Sequence, residues 1–125
     1  MSIHSMIQAL NMANIYSTDE QVYGVWIDGK VIYKKTIYLG SLPNNSTAHI
    51  AHNIQNLGEV VRFEGVALRS SDNVAFQLSN TPNPKVSSPL PTSINIVIEP
   101  TTIGIATGND RSNMTGYVTI YYTKI

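Results

Sequence analysis

The side chains that could do chemistry in this 125-residue chain are few and scattered. No cysteine occurs, which excludes thiolate catalysis, disulfides and cysteine-ligated metals. His49 and His52 are three residues apart, and on a β-strand this spacing puts two side chains on opposite faces. His4 has neither an acidic residue nor a histidine four positions further along. We therefore predict no metal site and no cofactor.

The serines and carboxylates form no recognisable catalytic set either. The nucleophile motif Gly-x-Ser-x-Gly is missing from the sequence, and so is a glycine-rich phosphate loop. Cleavage of a glycosidic bond would need two carboxylates that face one cleft. The acidic residues instead lie in turns or beside strand patterns, and no pair stands out. We predict that the protein is not an enzyme.

The charge balance limits the partners. Eight basic and eight acidic residues cancel, and charged residues make up only 13% of the chain, against about 25% in typical soluble domains. A neutral chain argues against nucleic acid or an anionic membrane as the main partner. Residues 1–5 show no signal-peptide pattern, and we expect no membrane-spanning segment. The low charge predicts a surface that is rich in Ser, Thr and Asn or covered by neighbouring subunits.

The first fifteen residues differ from the rest. Ile3, Met6, Leu10 and Ala13 recur at helical spacing, and Ile7 joins the same stripe. The pattern predicts a short amphipathic helix or attachment arm over residues 1–15. It either packs on its own domain or takes part in a multi-chain stalk, and for the second case Ile3, Met6 and Leu10 are the predicted interface residues.

From residue 16 onward the apolar residues alternate with period two. Turn signals every 8–12 residues separate about eight predicted strands, as in all-β folds. We predict an all-β fold, an antiparallel β-sandwich over residues 16–125. Gly65, inside the longest predicted strand, indicates a bulge or a close backbone approach.

A hairpin is predicted around Asp28-Gly29, because this pair between apolar runs favours a two-residue type I′ loop. That register puts Trp26 opposite Val31 and Tyr33 opposite Gly24, with Trp26, Val31 and Tyr33 on one face. Both faces are apolar, so we expect both to be covered. One face would be covered by the domain itself and the other by another subunit. Trp26 and Tyr33 are therefore predicted core or interface residues.

Two loops are candidates for contacts. The stretch 79–91 contains four prolines and is predicted to be an extended surface loop. Gly108–Asn113 is a polar loop in which Arg111 follows Asp110; Arg111 makes either a local ion pair or a contact with a subunit or ligand. Seven tyrosines and one tryptophan are enough for a carbohydrate platform, but most lie in strand patterns, which favours packing and interfaces.

Several motifs together resemble one family of modules. Tyr16-Ser17-Thr18-Asp19-Glu20 precedes the Val22–Thr36 segment with its central Asp28-Gly29-Lys30. Further on come Leu42–Asn45, Ala51–Ile54, the loop Gly108–Ser112 and the tyrosine-rich Tyr117–Tyr122. The set, which covers residues 16–124, resembles a C-terminal module of bacteriophage tail-fibre and minor structural proteins. The sequence departs from it at Val31, where the module usually has proline.

The resemblance implies a virion structural protein, made in the bacterial host cytoplasm, that assembles as a homotrimer with other virion proteins. It implies no catalytic residue. Its loops would contact either a host-surface glycan or protein, as in host attachment by a tail fibre, or neighbouring structural proteins, as in a capsid head fibre or decoration protein. A free-standing carbohydrate-binding module is the alternative from another class.

Overall fold

A computed structural model describes residues 15–78 and 94–125. The predicted helix or arm with Ile3, Met6 and Leu10 therefore lies outside the described residues, and so does the proline-rich stretch 79–91. Over the described ranges the chain forms strands, turns and irregular segments, without a helix.

The described residues form eight β-strands in two antiparallel sheets, which confirms the predicted all-β sandwich. One sheet has the order β1-β2-β8-β4-β5 and the other the order β3-β7-β6. The strands are β1 (Gln21–Val25), β2 (Val31–Ser41), β3 (Thr47–Ala51), β4 (Leu57–Arg69), β5 (Val74–Gln77), β6 (Ile94–Ile98), β7 (Thr102–Thr107) and β8 (Met114–Lys124).

The chain divides into two compact units. Unit 1 contains residues 15–36, Gln55–Phe63 and Thr119–Ile125; unit 2 contains Ile37–Ile54 together with 64–78 and 94–118. The whole three-stranded sheet belongs to unit 2, where alternating isoleucines of β6 and β7 are buried. The buried apolar residues of unit 2 are Ile37, Leu39, Leu42, Ile54, Ala67, Leu78, Ile94, Ile96, Ile103, Ile105, Met114 and Val118.

The hairpin between β1 and β2 has a three-residue loop, so the predicted two-residue type I′ loop is wrong. The N–H of Trp26 donates to the carbonyl of Lys30 at 2.8 Å, and the N–H of Gly29 donates to the carbonyl of Trp26 at 3.0 Å. Within this loop only Gly29 has a positive φ, at 86°, whereas a type I′ turn needs two such residues. Asp28 Oδ1 accepts the N–H of Lys30 at 2.9 Å, and this side-chain bond favours the one-glycine turn.

The register of the hairpin is shifted accordingly. Tyr23 is an extra residue in β1, because the pairing is irregular between Val22 and Gly24. The opposed residues are Val25 and Val31, Gly24 and Ile32, and Val22 and Tyr33. The predicted pairs Trp26–Val31 and Gly24–Tyr33 are therefore wrong: the longer loop and the bulge each displace the pairing by one residue.

Gly65 marks a close approach, as its position in a strand predicted. A Cβ at this residue would lie 2.7 Å from the carbonyl oxygen of Tyr117 and 2.8 Å from Cδ1 of Leu78. Both distances are shorter than van der Waals contact allows, so only glycine fits between these neighbours in unit 2.

Candidate functional site

Of the predicted site residues that are described, Trp26 and Tyr33 lie in unit 1 and Arg111 in unit 2. Trp26 lines a cavity together with Ile32. Tyr33 follows Ile32 directly in β2, so its side chain is on the opposite face of the strand. The prediction that Trp26 and Tyr33 share a face is therefore wrong, and the cause is the shifted register.

Four aliphatic side chains of the hairpin are exposed, and we call them the hairpin patch: Val22, Val25, Ile27 and Val31. Their exposed fractions are 56%, 70%, 89% and 40%. Two of the four are on β1, an edge strand of its sheet. Single exposed apolar residues are normal on protein surfaces, whereas a cluster of them indicates an interaction surface. Coverage of this hairpin by a second subunit stays a prediction.

A polar network of Glu20, Tyr122 and Lys124 lies beside Tyr33 in unit 1. Its ring stacks on Tyr122 with the centroids 6.0 Å apart, and Lys124 Nζ lies 4.9 Å from the Tyr33 ring centroid. The hydroxyl of Tyr122 donates to Glu20 Oε2 at 2.5 Å, and Lys124 Nζ lies 2.7 Å from Glu20 Oε1. Each oxygen of the carboxylate thus has its own partner, so the network stabilises the unit.

The pKa values agree with this arrangement. Burial raises the pKa of Tyr122, and the hydrogen bond to the Glu20 carboxylate raises it further, so the hydroxyl stays protonated. Burial alone would raise the pKa of Glu20, but the hydrogen bonds from Lys124 and Tyr122 together lower it below its ordinary value. The carboxylate is therefore ionised and held in place at neutral pH.

A cavity of about 190 Å³ lies within unit 1, lined mostly by aromatic and aliphatic side chains. Its lining residues are Tyr23, Trp26, Ile32, Val61, Arg62 and Tyr121. Tyr121 is 1% exposed, whereas Tyr23 is 38% exposed, which leaves part of the lining open to solvent. The Tyr23 ring meets the Tyr121 ring edge to face, with a centroid distance of 4.7 Å and an interplanar angle of 67°. Arg62 Cζ lies 4.1 Å from the Tyr121 ring centroid.

The bulge in β1 builds this cavity. In a regular strand, Tyr23 and Trp26 are three residues apart and would point to opposite faces. The extra residue at Tyr23 changes the alternation, and both side chains line the same cavity. Bulges commonly redirect side chains in this way. The sequence signal was Gly24, since a glycine within a strand often marks a bulge.

Beside the cavity, Lys34 is buried among tyrosines. It is 1% exposed, and its Nζ lies 4.3 Å from the Tyr16 ring centroid and 5.6 Å from that of Tyr23. The faces of aromatic rings attract cations, so these contacts help to compensate for the loss of water around the ammonium group. Lys34 thereby packs against Tyr23 and helps to hold its ring beside the cavity.

The two described histidines both contact Glu99, but in different ways. His52 is 1% exposed; its Nε2–H donates to the Glu99 carbonyl at 2.8 Å, and its Nδ1 accepts the N–H of Ile54 at 3.1 Å. His49 Nδ1 lies 2.8 Å from Glu99 Oε1 on the surface. The hydrogen bonds from His49 and then from Thr102 lower the pKa of Glu99. His52 is thus a structural residue of unit 2.

Within residues 15–78 and 94–125, no group of three or more His, Asp or Glu side chains could hold a metal ion. Over the same ranges, no helix is long and apolar enough to cross a membrane. The predictions of no metal and no membrane partner remain predictions.

The loop that carries Arg111 is held by the Leu42–Asn45 segment in unit 2. The carbonyl of Pro43 accepts the N–H of Arg111 at 3.1 Å and the hydroxyl of Thr107 at 2.9 Å. The N–H of Asn45 donates to the carbonyl of Asn109 at 2.9 Å. Two of the segments on which the family resemblance depends are therefore hydrogen-bonded to each other. Their described contacts are structural, and a partner contact by Arg111 stays a prediction.

The fold and the cavity together define the class: an all-β sandwich with an aromatic cavity in unit 1. Comparisons with protein-family models, with curated proteins and with solved structures find no match. The function is therefore inferred from the residues of the chain itself.

Proposed function

We propose that this protein is a non-enzymatic virion structural protein, a component of the phage tail-fibre type that its motifs resemble, and that it assembles as a symmetric homotrimer. The observation that carries the proposal is the hairpin patch, which leaves four apolar side chains exposed in unit 1. Such a surface is best explained by a neighbouring subunit that covers it.

The edge strand beneath the patch supports the same proposal. β1 runs from Gln21 to Val25 and contains neither a charged residue nor a proline. Edge strands of monomeric proteins usually carry such residues or a β-bulge, because an unprotected edge pairs with other chains. β1 has only the bulge at Tyr23. Formal net charge of zero means that copies of this chain do not repel one another strongly. A second copy is the occupant that we propose for this edge.

The free energy of burial shows how much the hairpin patch can contribute to assembly. Full burial of a valine or isoleucine side chain is worth about 1.5–3 kcal/mol, and the four side chains are 40–89% exposed. Covering them would gain about 4–8 kcal/mol per subunit. Association costs about 4–15 kcal/mol in lost freedom of motion. Over most of this range the patch alone is not sufficient, so other residues would contribute, and Ile3, Met6 and Leu10 are the predicted candidates.

Two alternative functions remain. A capsid head-fibre or decoration protein would use the same patch for assembly and differ in its virion partners. A carbohydrate-binding module is favoured by a separate observation, the aromatic cavity of unit 1. Host attachment through a glycan would combine this second function with the structural one.

The proposal is tested by the solution mass, measured by light scattering during gel filtration. We expect three times the chain mass of 13.7 kDa for the unchanged protein. Val25→Asp puts a charge on a residue that is 70% exposed and should lower the mass toward that of one chain. The matched control is Val97→Asp, at a valine of β6 that is 56% exposed, and it should leave the mass unchanged.

Two results would count against the proposal. A monomeric unchanged protein at micromolar concentration would contradict homotrimer assembly. A trimer that tolerates Val25→Asp as well as Val97→Asp would show that the hairpin patch is not the assembly surface. Circular dichroism of each variant checks that the β-fold is retained.

A further inference from the structure

We propose that the cavity of unit 1 binds one pyranose ring of a carbohydrate, with Trp26 as the stacking platform and Arg62 as the hydrogen-bond donor. This inference goes beyond the proposed assembly function, because the hairpin patch and the cavity use different side chains.

The lining chemistry points to a sugar. A pyranose ring has a face of C–H groups, which packs on an aromatic ring, and an edge of hydroxyl groups, which needs hydrogen-bond partners. Three aromatic rings, two aliphatic side chains and one guanidinium group line the cavity. The Arg62 guanidinium lies over the Tyr121 ring and carries N–H donors in a fixed planar arrangement, the type of group that binds the hydroxyls of a sugar. Mostly apolar walls with a few placed polar groups are typical of ligand sites.

The size of the cavity limits the ligand to one ring. Its volume is about 190 Å³. Pockets for drug-sized ligands hold about 300–1,000 Å³. A folded helix or a strand of a partner is too large for this space. We expect one sugar ring to enter this space and the rest of a glycan to extend into solvent.

Parts of the site are held in place within the protein. The backbone of Trp26 makes both hydrogen bonds that close the hairpin loop. Tyr121 is fixed between the edge contact with Tyr23 and the guanidinium of Arg62. Since the Tyr121 ring and the backbone at Trp26 are already ordered, binding costs little conformational entropy at these positions. Since the cavity is small and partly open, we still expect weak binding, with a Kd on the order of 1 mM.

Trp26 allows a direct test, because it is the one tryptophan of the sequence. The full chain is titrated separately with glucose, galactose, N-acetylglucosamine and galacturonate while its intrinsic fluorescence is recorded. We expect a saturable change with at least one sugar at a Kd on the order of 1 mM. Absence of saturation with all four up to about 100 mM, roughly a hundred times the expected Kd, would overturn the proposal.

Matched variants localise the binding. Tyr23→Ala removes a cavity wall and should raise the Kd about tenfold. The control Tyr38→Ala alters a tyrosine in unit 2 that is 50% exposed, and it should leave the Kd unchanged. Likewise, Arg62→Gln should weaken binding, whereas Arg69→Gln, at the arginine that pairs with Asp72, should not. Equal effects of test and control variants would refute the assignment to the cavity.

The same titration distinguishes a sugar from an apolar side chain of a partner protein. If the cavity receives an apolar side chain of a partner, a small, mainly apolar probe without near-UV absorption, such as cyclohexanol, will saturate the fluorescence change and the four sugars will not. That outcome overturns the carbohydrate proposal. The light-scattering mass of the same samples tests assembly separately, so loss of sugar binding with an intact trimer leaves the proposed function standing.

Discussion

Replacing Tyr122 with phenylalanine removes one hydroxyl from the polar network of unit 1. That hydroxyl donates a short hydrogen bond to the ionised carboxylate of Glu20. Hydrogen bonds to charged groups are worth about 1.5–3 kcal/mol. Glu20 keeps its pairing with Lys124, and its side chain is 30% exposed, so water can replace part of the lost bond. We expect Tyr122→Phe to lower the free energy of unfolding by about 1.5 kcal/mol.

Urea unfolding at pH 7, followed by circular dichroism, measures this change. The matched control is Tyr117→Phe on the same strand, where the side chain is 48% exposed, and it should change the free energy by less than about 0.5 kcal/mol. Equal effects of the two substitutions would refute the reasoning, because they would show that the bond to Glu20 contributes nothing specific.

The pH dependence gives an independent check. The raised pKa of Tyr122 means that its contribution is complete below the unfolded pKa of about 10 and is lost as the pH rises above it. The lowered pKa of Glu20 means that its contribution is present above about pH 4.3 and is lost as the pH falls further. The difference in stability between wild type and Tyr122→Phe should therefore narrow at both extremes. A difference that stays constant at alkaline pH would contradict the role of the hydroxyl.

Two further predictions compare matched positions. Gly65→Ala should destabilise the protein by about 1–3 kcal/mol because its Cβ would be 2.7 Å from a carbonyl oxygen. Gly24→Ala, with open space around it, should be neutral or slightly stabilising. The midpoints of urea unfolding measure both effects, and equal shifts would contradict the steric argument. His52→Ala should cost about 2–4 kcal/mol, since it removes a buried ring and leaves the Ile54 N–H without its acceptor. His49→Ala, at an exposed histidine, should cost under about 1 kcal/mol by the same assay, and similar losses at both positions would contradict the structural role of His52.

The fold class was predictable because strand periodicity is a local property. The alternation of Ile94, Ile96 and Ile98 predicts β6 directly, and the long β4 follows from the run that ends at Arg69. Gly65 was recognised as a close approach, since a glycine in a strand has few other reasons to be there.

The hairpin register was not predictable, because Asp28-Gly29 is compatible with more than one loop. A two-residue loop and a three-residue loop with one left-handed glycine can share this dipeptide, and the choice depends on how the flanking strands pair. One extra residue in the loop moves every opposed pair. For that reason Trp26 and Tyr33 were assigned to the same face although they lie on opposite faces.

The cavity escaped prediction for a related reason. Its residues come from three separate segments, represented by Tyr23, Arg62 and Tyr121, and no sequence spacing reports their proximity. Arg62 over the Tyr121 ring is a contact between two strands that tertiary pairing alone decides. Gly24 indicated the bulge locally, but the predicted register placed it opposite Tyr33.

The order of strands in the five-stranded sheet has a consequence for biosynthesis. β2 and β4 flank β8, the strand that is translated after both of them. β2 and β4 cannot pair with β8 until residue 124 has left the ribosome. The five-stranded sheet therefore cannot be completed before residue 124 has been translated. Chaperones that shield β2 and β4 on the nascent chain should therefore increase the soluble yield. Slow translation alone should not, because the missing partner strand does not yet exist.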